Sequence, residues 1–200
     1  MNPFRPELAD HLDRLRWNAR YAGGFVPSFT PHPLAVQALA MPLPPGGILE
    51  LACGPSGSAL AAASAGRHVT AVDAADVALD LLAARASRRG LSGLIELVHA
   101  DLATWRPEPD RYALVLCTGY WDRDVFAAAA LAPMTGGALA WEAFTAAARL
   151  DRPQIPVHWC LAPGEPATLL PAGYEVLINK PASQERGRKW QFLARRPAAG

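Results

Sequence analysis

Two hundred residues, 51% of them apolar and 18% charged, are enough for one domain with a sizeable core and too apolar for a disordered chain. A formal net charge of +1 gives no general attraction to nucleic acid or to an anionic membrane. No apolar run approaches the ~20 residues of a bilayer-spanning helix, the charged start carries no export signal, and Cys53, Cys117 and Cys160 form neither a disulfide framework nor a metal pattern, so the expected compartment is the cytoplasm.

Pro6 to Tyr21 predicts a helix, with Leu8, Leu12, Leu15 and Trp17 as its apolar stripe and Asp10, Asp13, Arg14 and Arg16 outside it. Tyr21 to Pro33 is punctuated by Gly23, Gly24, Pro27 and Pro31 and reads as a loop whose Phe25 and Phe29 must cover something. Two readings stay open. Helix and loop pack on the domain edge, or they form a lid with Trp17 or Tyr21 touching a ligand. Leu34 to Met41 is a short helix ended by Pro42. Residues 1–45 thus read as an N-terminal helical segment that forms one globular unit with 46–200.

The main domain opens with an apolar strand, Ile48 to Leu51, interrupted by the acid Glu50. Gly54 and Gly57 bracket a tight turn, Ala59 to Ala63 favour helix, and Gly66 caps it. Val69 to Val72 is the second strand, with Asp73 at its carboxyl end. A helix from Val77 to Ser87 follows, with Asp76 as N-cap and Gly90 as its stop. The third strand is Leu94 to Val98, then comes a turn from Asp101 to Trp105, and the fourth strand is Tyr112 to Cys117. Asp124 to Leu131 is a helix closed by Pro133, and Ala138 to Phe144 is the fifth strand. Leu150 to Pro166 is proline-rich and irregular. Tyr174 to Ile178 and Trp190 to Ala194 are joined by a polar connection too short for a crossover helix, so they pair antiparallel, with Arg186, Arg188 and Lys189 on a solvated hairpin. The fold class is α/β: a Rossmann-like, mostly parallel seven-stranded sheet, helices on both faces, and an antiparallel last strand.

A strand, a glycine turn, a helix and an acid about 20 residues on follow the logic of a nucleotide-binding βαβ unit. The dinucleotide fingerprint fails at its second and third glycines, because Ser56 and Ala59 stand there, and Pro55 offers no amide hydrogen. The phosphate-binding P-loop fails for lack of a Lys-Ser or Lys-Thr pair. Glu50 beside the turn is a poor neighbour for phosphate and a good one for a cation. A ligand with an adenosine end and a cationic end, such as S-adenosylmethionine, suits this turn better than a dinucleotide.

The run E-L-A-C-G-P-S-G-S-A-L from Glu50 to Leu60 resembles the first motif of class I S-adenosylmethionine-dependent methyltransferases. Val69 to Asp73, Val98 to Leu102 and Tyr112 to Tyr120 resemble the later motifs in order, so the likeness spans Gly47 to Thr145. Tyr120 to Arg123, Trp141 to Thr145 and Leu161 to Glu165 are similar to a subgroup near the tellurite-resistance methyltransferases. The family has Gly where Ser56 stands. The resemblance implies cofactor contacts from Glu50, Ala52 and Gly54 in the first motif. It implies Asp73 and Ala74 at the ribose, Asp101 and Leu102 at the adenine, and Cys117 under the methyl donor. Tyr21 joins them if the lid reading holds. Tyr120, Arg123, Trp141 and Glu142 are the candidate substrate-pocket residues, although strand alternation sends Trp141 and Glu142 to opposite faces.

The expected reaction is methyl transfer from S-adenosylmethionine to a small-molecule acceptor, with no nucleic-acid or membrane partner and no metal. No side chain stands out as a general base, so no catalytic residue is assigned. Three rivals remain. One is a protein that binds S-adenosylmethionine without turnover. The second is an NAD(P)-dependent oxidoreductase, disfavoured by the broken fingerprint. The third is an α/β-hydrolase built on Gly54-Pro55-Ser56-Gly57-Ser58, which lacks the strands that precede such an elbow.

Overall fold

The computed structural model describes residues 5–182 and 187–198. Residues 1–4 of the N-terminal segment and Arg186 of the basic hairpin lie outside the described residues. Seven strands form one sheet: β1 (Gly47–Leu51), β2 (Val69–Asp73), β3 (Ile95–His99), β4 (Tyr112–Thr118), β5 (Pro133–Phe144), β6 (Glu175–Pro181) and β7 (Lys189–Arg195). Their order is β3-β2-β1-β4-β5-β7-β6. β7 runs antiparallel to both of its neighbours, and the other pairs are parallel. β4 is covered on both faces and reads as a near-continuous apolar run. In β4, Leu114 and Leu116 join one core and Val115 and Cys117 the other, as strand alternation dictates.

The helices are α1 (Leu12–Ala22), α2 (Pro33–Leu39), α3 (Gly57–Ser64), α4 (Asp76–Arg88), α5 (Arg123–Ala129) and α6 (Glu165–Thr168). α2 and α3 cover one face, where Leu34, Ala38 and Leu60 pack with Ile48 and Leu114. α5 covers the other, where Phe126 lies 5.1 Å from Trp141 and 5.8 Å from Phe192, ring centre to ring centre.

The chain departs from the sequence-based expectations in four places. The N-terminal helix is broken into a 3-10 turn, Pro6–Leu8, and α1. Of its leucine stripe only Leu8 is buried, since Leu12 is 81% exposed and Leu15 47%. α1 docks on α4 through polar groups instead: Arg14 Nε donates to Asp76 at 2.7 Å and Asn18 Nδ2 at 2.6 Å. Asp76 is therefore not the N-cap of α4 but its first residue, and Asn18 Oδ1 accepts from the Val77 amide at 3.2 Å, capping α4 from another helix. The third departure is β5, which starts at Pro133. Gly137 allows this, since a Cβ there would meet three backbone carbonyl oxygens at 2.8–3.0 Å. The basic hairpin is also less solvated than expected: Arg188 pairs with Asp151, and Lys189 Nζ lies 3.1 Å from Glu142.

From β1 the chain moves outward to β2 and β3, then returns on the other side as β4. The crevice at the carboxyl ends of β1 and β4 is thus the topological switch point where open α/β sheets take ligands.

Candidate functional site

Beyond β1 the backbone turns sharply, with Ala52 at φ +47° and Gly54 at φ +56°. The turn is held by Asp73: the Gly54 amide donates to one carboxylate oxygen at 2.7 Å and the Ala75 amide to the other at 2.8 Å. Burial pushes the Asp73 carboxyl up, and these two amides pull against that. Beneath it, the Arg5 amide donates to His99 Nδ1 at 3.2 Å, so the ring hydrogen sits on Nε2 and reaches the Ala74 carbonyl at 2.9 Å. Asp101 follows β3. Its Oδ1 accepts from the Ala103 amide at 2.9 Å, and its Oδ2 lies 3.5 Å from His11.

These groups open onto a cavity of about 360 Å³ at the carboxyl ends of β1, β2 and β4, within the range of small-molecule sites. Ala52, Gly54, Asp73 and Ala74 line one side, Asp101 and Leu102 the next, and Tyr120 the loop after β4. α1 forms the roof. Residues Asp13, Trp17, Arg20 and Tyr21 project into the cavity at helical spacing, and Tyr21 stacks with Trp17 at 5.9 Å. The far wall is Phe144 at the end of β5, with Trp159 from the irregular segment, over which Arg16 sits at 4.6 Å.

Five of the sequence-predicted residues do not line it. Glu50 is buried and its carboxylate is taken by Ser56, whose Oγ lies 2.8 and 2.7 Å from its two oxygens. The same Oγ accepts from the Ala59 amide at 2.9 Å, so Ser56 both caps α3 and supplies the partner of Glu50. Among the described residues this occupied hydroxyl has no histidine partner, so the arrangement of a hydrolase nucleophile is not found there. Cys117 is fully buried beneath the loop, its Sγ 3.8 Å from the Tyr120 carbonyl. Trp141 belongs to the aromatic core, and its indole N–H donates to the same carbonyl at 2.8 Å. Arg123 is largely exposed and pairs with Glu165 at 2.7 Å, tying α5 to α6. Glu142 points to the opposite face from Trp141. Burial would raise its carboxyl, but hydrogen bonds from His32 at 3.2 Å and Gln191 at 2.8 Å outweigh that and hold it at about 2. Because His32 Nδ1 accepts from the Leu34 amide, its Nε2 carries the hydrogen, and Glu142 anchors the loop that precedes α2.

Asp13, Arg20, Phe144 and Trp159 were not predicted. The spacing 13, 17, 20 and 21 was a legible second stripe on α1, but its mixed chemistry hid it beside the leucines.

Burial pushes the Glu50 carboxyl up from 4.5 to about 7, against the Ser56 bond. Between those values the folded protein holds a proton that the unfolded chain has released. Stability from this group is therefore complete below pH 4.5 and is lost as pH rises through 7. At ~1.4 kcal/mol for each tenfold change, the loss by pH 8 is about 3 kcal/mol. Glu50→Gln should flatten the unfolding free energy of the free protein between pH 5 and pH 8, as read by urea melts. Parallel wild-type and variant curves would contradict the assignment.

Among the described residues no group of three His, Cys, Asp or Glu side chains is placed to hold a metal ion, and no helix is long and apolar enough to cross a membrane. Residues 48–133 match a family model described as a methyltransferase domain. No curated protein matches the chain. Three solved structures are similar over most of it. One, solved for the conversion of a disulfide bond into a thioacetal group during echinomycin biosynthesis, is 18% identical with a TM-score of 0.66 and covers 94% of each chain. Geranyl diphosphate C-methyltransferase from Streptomyces coelicolor, in complex with magnesium, geranyl diphosphate and S-adenosyl-L-homocysteine, is 14% identical with a TM-score of 0.60, covering 94% of this chain and 99% of that one. TehB from Haemophilus influenzae is 18% identical with a TM-score of 0.62, covering 82% of this chain and 62% of that one. At these identities the likeness carries the fold.

Proposed function

We propose that this class I S-adenosylmethionine-dependent methyltransferase moves a methyl group to a small molecule taken up in the cavity above β1 and β4. The observation that carries the site is the Asp73 carboxylate, buried, oriented by two backbone amides and open to the cavity. Each of its oxygens keeps a lone pair for one of two vicinal ribose hydroxyls. Asp101 and Leu102 then receive the adenine edge and Tyr21 covers the ligand. Ala52, Gly54 and the loop at Gly119 border the amino-acid end. Glu50 acts through Ser56 on the shape of the turn, and Cys117 supports the loop after β4 from below. Pro55 offers no amide hydrogen in the turn, and Ser56 and Ala59 stand where a dinucleotide site has glycines, which argues against NAD.

The bound donor supplies a sulfonium that leaves as a neutral thioether. The chain's own residues therefore have mainly to hold donor and acceptor in line and keep water out. α1 and the loop that follows it do this in our reading: of the N-terminal segment, residues 12–32 act as a lid, while α2 belongs to the core of the domain. Three unpaired thiols fit a reducing cytoplasm.

Calorimetric titration tests the reading. S-adenosylmethionine and S-adenosylhomocysteine should bind in the micromolar range and NAD should not. A folded protein that binds neither of the first two would overturn it. Turnover with any acceptor would exclude a purely binding role.

A further inference from the structure

The roof meets the floor of the cavity at one end. His11 stands directly before α1 and Asp101 two residues beyond β3, and both line the cavity. His11 Nε2 lies 3.5 Å from Asp101 Oδ2. This contact is not what docks the roof. Arg14 and Asn18 tie α1 to Asp76 of α4 at 2.7 and 2.6 Å, whereas 3.5 Å is long for a hydrogen bond. The other ring nitrogen of His11, Nδ1, is buried and has no partner among the described residues. A hydrogen on Nδ1 would be buried without an acceptor, which places the ring hydrogen on Nε2, facing Asp101.

Asp101 is fixed by its own turn on one side only. Its Oδ1 accepts from the Ala103 amide at 2.9 Å, and among the described residues no donor but His11 stands against Oδ2. A carboxylate held at one oxygen still swings about its Cβ–Cγ bond, whose torsion is broad. Two supports, one from the turn and one from the roof, set its plane. They use two of the carboxylate's lone-pair directions and leave the others for a ligand. Resting on the methyltransferase reading above, we propose that His11 is a positioning residue for the donor: its Nε2–H orients the Asp101 carboxylate to accept from the 6-amino group of the adenine. Asp73 needs no such help, since two backbone amides already hold both of its oxygens. Because His11 is carried by the roof, the adenine site is complete only with α1 docked. Recognition of the base is thereby coupled to the exclusion of water.

Calorimetry on the whole protein with two ligands tests this: S-adenosylhomocysteine, and its analogue with hydrogen in place of the 6-amino group. The wild type should bind the first about tenfold more tightly or better, because only that ligand donates from this position to a charged acceptor. His11→Ala should weaken S-adenosylhomocysteine by about fivefold or more and leave the analogue within about twofold, so that the preference collapses. His11→Gln, whose Nε2 takes the place of the imidazole donor, should restore most of it. A merely structural role for His11 would weaken both ligands alike. That result would overturn the proposal, as would a His11→Ala protein with the wild-type preference, or a wild type with none. Failure of a folded wild type to bind either ligand is a separate outcome: it removes the methyltransferase reading itself, and this proposal with it.

Discussion

Replacing Asp73 with Ala is expected to weaken S-adenosylmethionine binding by at least a hundredfold. Hydrogen bonds to a charged acceptor contribute ~1.5–3 kcal/mol each. Two ribose hydroxyls therefore account for roughly 3 kcal/mol or more, which is a factor of about a hundred. A further part is indirect, since the Gly54 and Ala75 amides lose their acceptor and the turn that borders the ligand loses its fixed shape. Orphaning two buried amides costs ~1–3 kcal/mol each, so the melting temperature should fall as well. That fall is smaller than the bare sum at neutral pH. Burial raises the Asp73 carboxyl, so its charged form opposes folding above the unfolded pKa, and removing it offsets part of the loss. Asp73→Asn separates the two effects: it keeps one carbonyl oxygen for an amide but loses the charge at the ribose. Calorimetry and thermal melts on both variants decide the matter. Binding of Asp73→Ala within threefold of wild type would remove the ribose assignment.

The residues that were legible in the sequence are those fixed by local pattern. Asp73 and Asp101 stand at the carboxyl ends of short apolar strands, and in a parallel sheet that position faces the ligand crevice whatever the rest of the chain does. The seven strands followed from apolar runs broken by glycine and proline, and the antiparallel β7 from a connection too short for a helix. What pattern could not show was partner choice across the fold. Glu50 needed a partner, and an ammonium group was the natural candidate. The partner is Ser56, the residue that departs from the family pattern. A glycine in its place would leave Glu50 without those bonds.

Glu142 and Trp141 were misplaced for a related reason. Alternation placed them on opposite faces, but at their level both faces are filled, Trp141 by Phe126 and Glu142 by His32, and it is Phe144 at the strand end that reaches the mouth. The partners of Glu142 come from His32, Lys189 and Gln191, which lie far along the chain in both directions. In α1, the leucine spacing suggested a core-facing stripe. The helix is instead held by one acid, Asp76, that gathers Arg14 and Asn18. A polar dock of that kind has no periodic signature. It also suits a roof that must release a product more readily than a hydrophobic seam would.

Gly57→Ala is expected to destabilise the protein and to weaken donor binding at least tenfold, although helix propensity alone favours the change. As the first residue of α3, an alanine would gain up to about 1 kcal/mol over glycine. Against this, a Cβ at Gly57 would lie 2.4 Å from the carbonyl carbon and oxygen of Phe29 and 2.5 Å from the carbonyl carbon of Thr30. These are backbone atoms that no rotamer change can move. The loop they belong to is fixed nearby: the His32 amide donates to Ser58 at 3.0 Å, His32 Nε2 reaches Glu142 at 3.2 Å, and Arg85 sits over the Phe29 ring at 5.2 Å. Overpacking against a held segment costs ~1–3 kcal/mol and outweighs the propensity gain. Since Ser28, Phe29 and Thr30 also line the cavity, the displaced loop opens the space above Gly54 to water. Gly93→Ala is the control, because a Cβ there meets nothing within 4 Å and the backbone is not left-handed. Urea melts and donor calorimetry on the two variants should separate them clearly. A Gly57→Ala protein as stable as the control, with unchanged affinity, would mean that the loop does not rest on the start of α3 and that the cavity is roofed by α1 alone.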